Sequence, residues 1–431
     1  MDLRADRVSQ EWPSTCTRSR TPPKVAPDVS LSESSNNMRD LFEDQLQTLR
    51  ARSLERKLRE IGSAQGPEVQ IDGRLLINFS SNDYLGLAND SRLREAAIGA
   101  IKEFGVGAGA SRLVSGTQSP HLHLENALAK WKGAEASLSF GSGYAAALGT
   151  VPALVNKDDI ILLDKLCHAS LIDGARLSGA IVRVFPHNHL GKLENHLEWA
   201  RREHAGKRVL ILTESVFSMD GDCAPLRELV ELKRRFGALL LLDEAHAIGV
   251  IGPNGRGLAA AENLNEDVDV QMGTLSKALG ASGGYICGSR SLIEWLINRA
   301  RSFIYSTASP PGIVSAALAA VNFLGSSDGE ERRRLLWERI RLIHEFRPSG
   351  GLNEKTASAA SAIFPWIVGD EQAAIDLASA LQTEGFFVPA IRYPTVAKGS
   401  ARLRITVTAL HEENQIRSLC QAITRLSALS L

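Results

Sequence analysis

The sequence has 431 residues, 44% of them hydrophobic and 23% charged, an ordinary globular balance in a chain long enough for more than one folded part. Its 49 basic and 49 acidic residues cancel, which argues against a broad electrostatic surface for nucleic acid or anionic lipid but leaves room for a local phosphate site. The scattered cysteines (Cys16, Cys167, Cys223, Cys287, Cys420) form no CxxC pair, and no apolar run approaches the ~20 residues of a membrane span. A reduced, soluble, cytoplasmic protein without a metal site is the expectation.

Residues 1–37 are rich in Ser, Pro, Thr and Arg and lack apolar periodicity, so a disordered tail is expected there. Asp2, Asp6, Glu11 and Asp28 have the wrong charge for a transit peptide, no apolar segment of a signal peptide follows the start, and Met38 is a second candidate start. The spacing of Leu41, Leu46, Leu49, Leu54 and Leu58 predicts a helix from Leu41 to Ile61, ended by Gly62. Two strands follow, Glu68–Ile71 and Leu75–Ser80, with Asp72-Gly73 as their turn.

From about Asn89 to Gly325, short β-like runs alternate with helical stretches. The predicted strands are Ala136–Phe140, Ile160–Leu163, Ile181–Phe185, Val209–Glu214, Ala238–Asp243, Val268–Gly273 and Gly284–Gly288. The run Leu239-Leu-Leu-Leu242 suits a central parallel strand covered on both faces. The alternation predicts an α/β fold with a mostly parallel, doubly wound sheet. After a connecting helix near Glu330–His344, a smaller C-terminal α/β unit is expected. Its strands are Ala362–Val368, Phe386–Ile391 and Leu403–Thr408, with helices at Glu371–Glu384 and Glu412–Leu426 and a left-handed cap at Gly385. The expected organisation is a tail (1–37), an arm (38–88), a large domain (89–325) and a small one (326–431).

Five segments carry chemistry, and each also has an ordinary structural reading. In Thr274-Leu-Ser-Lys277, just after a strand, an amine can condense with an aldehyde while the hydroxyls bind a phosphate; a lysine there is otherwise simply solvated. Asp243-Glu-Ala-His246 leaves the C-terminal end of a buried strand, where α/β sheets place ligands. That Asp can keep a pyridine nitrogen protonated, or it can cap the next helix. Phe140-Gly-Ser-Gly143-Tyr144 runs into an Ala-rich helix and offers backbone N–H groups to a phosphate, or forms a plain turn; it matches neither a dinucleotide fingerprint nor a P-loop. Finally, Asp164–Ser170 and Glu214–Gly221 follow strands on the same sheet edge, where His168 can stack on an aromatic ring or be a structural histidine.

Together with Asn82–Leu87, Gly107–Gly116 and Tyr305–Pro311, these segments resemble the α-oxoamine synthases, fold-type-I pyridoxal-phosphate (PLP) enzymes, from about Leu41 to the C-terminus. The resemblance implies pyridoxal 5′-phosphate on Lys277, Asp243 as partner of the ring nitrogen and His168 stacked on the ring. It implies Ser218 and His246 at the ring hydroxyl, and Gly143, Tyr144 and Thr274 at the phosphate, with Thr307 reaching the phosphate of a partner subunit in a homodimer. Arg392 would bind an amino-acid carboxylate, with Asn82 and Arg56 near the substrates. The branch it resembles most is that of biotin synthesis, which condenses L-alanine with pimeloyl-CoA or pimeloyl-acyl carrier protein and loses carbon dioxide. Other branches, such as glycine C-acetyltransferase, share the machinery, and a non-catalytic subunit of the same fold is a second alternative.

Overall fold

The computed structural model describes residues 38–345 and 361–429; the expected tail 1–37 lies outside the described residues. The chain divides after Glu55 into two compact units. In the first, the helix is Met38–Ala51, ten residues shorter at its end than the leucine spacing predicts. Ser53 takes a left-handed φ of 53°, and the Leu54 amide donates back to the Leu49 carbonyl (2.9 Å) while the Ser53 amide donates to Arg50 (3.0 Å). This closing motif stops the helix. Leu58 is fully exposed, so the apolar period beyond Ala51 has no face to bury.

The second unit begins at Arg56. Its hairpin, β1 (Glu68–Ile71) and β2 (Arg74–Asn78), turns at Asp72 and Gly73, both with positive φ (50° and 75°), the conformation a two-residue hairpin loop demands. The main sheet comprises β3 (Ala136–Phe140), β4 (Ile160–Asp164), β5 (Ile181–Phe185), β6 (Val209–Glu214), β7 (Leu239–Asp243), β8 (Val270–Thr274) and β9 (Gly284–Gly288). Their spatial order is β3-β9-β8-β7-β6-β4-β5. Neighbours pair parallel from β8 across to β5, and only β9 runs antiparallel to both its partners.

Alternate residues of the apolar strands feed two different cores. Ile161, Leu163, Leu210, Leu212 and Leu241 pack with the helix Gly143–Leu154, whereas Ile160, Leu162, Ile211, Leu240 and Leu242 join the larger cluster on the other face. A strand apolar on every residue therefore buries both sides, as its sequence requires. With both faces covered, polar groups of these strands reach a cavity only at their C-terminal ends.

The remaining strands are β10 (Ile363–Gly369), β11 (Phe386–Phe387), β12 (Ala390–Ile391) and β13 (Ala401–Thr406). The single strand expected at Phe386–Ile391 is split: β11 pairs parallel with β2, and β12 pairs antiparallel with β13. The apolar run is thus shared between two sheets, which pattern alone cannot reveal. Gly385 takes the expected left-handed conformation (φ 95°) after the helix Glu371–Thr383.

Candidate active site

The C-terminal ends of β4, β6, β7 and β8 surround a cavity of about 210 Å³. Gly143, Tyr144, His168, Asp243, His246, Thr274 and Lys277 all line it, joined by Glu214, Ser142, Ser170 and Ser276. Five separate segments of chain thus meet at one edge of one sheet, as the strand order dictates.

Lys277 stands at one end of a hydrogen-bonded chain. Its Nζ lies 2.8 Å from His246 Nε2, and His246 Nδ1 lies 2.7 Å from the Tyr84 hydroxyl. The Tyr84 hydroxyl donates to Asn82 Oδ1 (3.2 Å), which also accepts from Arg404 Nη1 (3.0 Å). Burial, aided by the charge of Lys277, pushes the His246 imidazole well below its ordinary value, so the ring is neutral. An amine that donates to Nε2 leaves the single proton on Nδ1, directed at Tyr84.

Burial also lowers the Lys277 amine to about 8, against the raising pull of Asp243 and Glu214. A neutral amine is therefore accessible near physiological pH, the condition for a nucleophile or base. Asp243 and Glu214 are register partners at the ends of β7 and β6. Burial raises the Asp243 carboxyl above the ordinary carboxylate range, with Lys277 and the Ala245 amide pulling the other way. Glu214 is pushed well above that range by burial and by Asp243, and it accepts the backbone N–H of His168. His168 Nδ1 accepts from the Ser170 amide (3.2 Å), which assigns its proton to Nε2.

On the other side stands the first turn of the helix Gly143–Leu154. Ser142 caps it by accepting from the Ala145 amide (3.0 Å), which leaves the Gly143 and Tyr144 amides without an intrahelical acceptor. Gly284 packs beneath this turn so closely that a Cβ there would lie 2.5 Å from Ser142 O and 2.6 Å from Gly143 N. Thr274 donates to the Gly283 carbonyl (3.0 Å) and pairs with the exposed hydroxyl of Ser276 (2.7 Å). Amides at a helix start and two hydroxyls make a site for a phosphate dianion.

The other expected residues stand apart from the cavity lining. Asn82 and Ser218 connect to it through Arg404, whose Nε donates to the Ser218 carbonyl (2.6 Å). Thr307 faces a separate small cavity with Arg112, His121 and Ser139 and bridges to Ser111. Arg56 donates to Thr395 (3.1 Å), near Arg392, which is lowered from its ordinary value by burial and by the charges of Arg56 and Arg59. Arg404, Tyr84 and Glu214 were given no role in the sequence reading. Arg404 carries a legible signal: a cation inside the buried strand β13, where charge survives only with partners. Its Nη2 is buried with no hydrogen-bond partner among the described residues.

An amine, a carboxylate, two imidazoles and a helix N-terminus with two hydroxyls around one cavity at the C-terminal edge of a doubly wound sheet fit a fold-type-I PLP enzyme. Residues 74–423 match the family model Aminotransferase class I and II. The "8-amino-7-oxononanoate synthase" of Geobacter sulfurreducens is 45% identical over 383 residues, covering 89% of this chain and 96% of that protein. The one from Anaeromyxobacter dehalogenans is 48% identical over 379 residues, covering 88% and 93%. Among solved structures, a serine palmitoyltransferase from S. paucimobilis superposes with a TM-score of 0.85 at 30% identity, covering 90% of this chain and 97% of that one. The chain belongs to the aminotransferase class I and II family and, within it, to the α-oxoamine synthases, PLP-dependent acyltransferases.

Proposed function

We propose that this enzyme condenses L-alanine with a pimeloyl thioester, releasing the thiol and carbon dioxide to form 8-amino-7-oxononanoate, a step of biotin synthesis. The observation that carries the reading is Lys277 itself: a buried amine lowered to about 8 beside Asp243 and His246, in a chain 45% identical to a protein named for this reaction. When bound, pyridoxal phosphate supplies an electron sink for the charge left on an amino acid's α-carbon.

The chain's own groups divide the remaining work. Lys277 Nζ tethers the cofactor and, once freed, moves the α-proton of the amino acid. The Asp243 carboxylate would accept a hydrogen bond from a protonated ring nitrogen, and His168 would lie against the ring. The Gly143 and Tyr144 amides with Thr274 would hold the phosphate, joined by Ser276. Ser218 and His246 would serve the ring hydroxyl.

For the amino-acid carboxylate we propose Arg404 in addition to Arg392, because Arg404 Nη2, next to Asn82, is a buried donor with no hydrogen-bond partner among the described residues. Pimelate's distal carboxylate asks for cations at the acyl end, and Arg56 and Arg59 lie close enough to Arg392 for their charges to lower it from its ordinary value, after burial. A homodimer completes the reading. Ala308 donates to the Ala110 carbonyl (3.0 Å), joining two segments whose Val106, Leu113, Val114 and Tyr305 are exposed, an apolar face for a second copy. Thr307 on that face would serve the partner's phosphate.

The test compares kcat/KM for pimeloyl-, acetyl-, succinyl- and palmitoyl-CoA with alanine, glycine and serine, identifying each product by mass. The pimeloyl–alanine pair should lead. Discrimination between alanine and glycine should be modest, because one methyl group is worth only about 1–3 kcal/mol. A clear preference for another pair would assign the chain to a different branch, as in glycine C-acetyltransferase. Lack of any turnover with cofactor bound would favour a non-catalytic subunit.

A further inference from the structure

At the ends of β4 and β5 lies a charged cluster that the roles above leave unused. His187 is held between two carboxylates: Nδ1 is 3.1 Å from Asp164 Oδ1, and Nε2 is 2.8 Å from Asp222 Oδ2. With a carboxylate at each nitrogen, both carry a proton and the ring is an imidazolium. Burial opposes that charge, but the hydrogen bonds and charges of Asp164 and Asp222 outweigh it and push His187 up to about 9. Among the described residues, Cys223 beside Asp222 is pushed up to about 12, chiefly by burial, and stays a thiol; Cys167 and Glu214, which feel the Asp164 charge, are raised well above their ordinary values, again chiefly by burial.

Asp164 roots the loop that brings His168 to the cavity, and Asp222 roots the hairpin that carries Ser218, which connects to the cavity through Arg404. Asp164 accepts the Leu166 amide (2.8 Å) and the Asn188 amide (2.8 Å), and so shapes the turn that delivers His168. Asp222 closes the hairpin 216–223, where the Phe217 amide donates to the Asp222 carbonyl (3.0 Å) and Val216 bridges to Cys223. Ser218 rides on that hairpin, and the Phe217 ring stands edge-on to His187 at 4.3 Å. Asn188, in a left-handed conformation (φ 54°), adds its side-chain amide to Asp222 Oδ2 (3.2 Å). Asp222 Oδ1 is buried without a partner among the described residues, so the carboxylate depends on His187 and Asn188 for its compensation.

We propose that His187 is a positioning residue for the reaction, a cationic clamp that ties the loop bearing His168 to the hairpin bearing Ser218 and so sets the two groups that face the cofactor ring and the amino acid. This rests on the proposed roles of His168 and Ser218. Its failure is distinguishable from theirs, because direct variants of His168 and Ser218 would still impair turnover if only the clamp were wrong.

The test uses the holoenzyme with His187→Leu, and with Asp222→Asn as a near-isosteric second variant should the first not fold. Both should reduce kcat about 10- to 100-fold with KM for the amino acid within about threefold, since misplaced groups weaken the transition state more than substrate binding. Both should also change the visible circular-dichroism band of the bound cofactor, a readout that loss of stability alone does not move. In wild type, ¹⁵N-histidine spectra should show His187 doubly protonated up to about pH 9, and Asp222→Asn should lower that midpoint. Because its folded value lies above its ordinary 6.5, the clamp's contribution to stability is fully present below 6.5 and is lost as pH rises through about 9. Variants with a lower melting temperature but wild-type kcat and dichroism would overturn the proposal, leaving His187 a purely structural ion pair. A change in KM alone would overturn it too.

Discussion

Lys277 and Asp243 are ionisable groups that burial drives in opposite directions: the amine falls to about 8 and the carboxyl rises. A bound ring with a protonated nitrogen would reverse the second shift, since a cation beside Asp243 favours the carboxylate. Asp243→Asn should accordingly keep the cofactor through its phosphate and Lys277 while reducing kcat by about a hundredfold or more, each factor of ten being ~1.4 kcal/mol of lost transition-state stabilisation. Steady-state rates at saturating cofactor, beside the absorbance of bound cofactor, check this; near-wild-type turnover would remove Asp243 from its role. Lys277, Asp243, His168 and His246 were legible in sequence because each follows a strong strand signal within a few residues. Tyr84 was not, because it lies in a loop far along the chain, and Arg404, conspicuous as a cation inside a buried strand, gives no sign of which groups it meets. Only the folded chain brings both to His246 and Asn82.

Among elements, the phosphate cradle depends on how closely β9 passes under the turn at Ser142. A Cβ on Gly284 would meet backbone atoms, which cannot rotate away as a side chain can. Gly284→Ala should cost about 1–3 kcal/mol of stability and weaken cofactor binding, whereas Gly107→Ala, where a Cβ meets nothing within 4 Å, should do neither. Thermal melts and cofactor titrations of the two variants make the comparison; equal behaviour would show that the turn tolerates displacement. The main strands were legible because both-face burial demands unbroken apolar runs, as in β4 and β7. The helix expected to run to Ile61 was misread because its stop is a left-handed Ser53 rather than a glycine. The split of Phe386–Ile391 was hidden for a different reason: each half satisfies a separate sheet, and hydrophobic pattern carries no information about partners.

For the whole molecule, the proposal of composite sites makes a prediction about subunits. Thr307 does not line this chain's own cavity, so its service to a phosphate requires a second copy. Mixing Lys277→Ala with Thr307→Ala protein should regain activity, because one site of each heterodimer would then receive both intact residues. Recovery near one quarter of wild type after full exchange is about the most that random pairing allows, since half the dimers are mixed and each has one whole site. A fully active monomer in sedimentation experiments would contradict the arrangement.

The central claim, that Lys277 carries the cofactor in this cavity, has a direct chemical test. Borohydride reduction of the holoenzyme fixes the lysine–cofactor bond, and peptide mapping by mass then locates the added group. One modified residue is expected, Lys277, and no modification in Lys277→Ala, whose visible absorbance band should also be absent. Label on a different lysine, or an unchanged band in that variant, would contradict it.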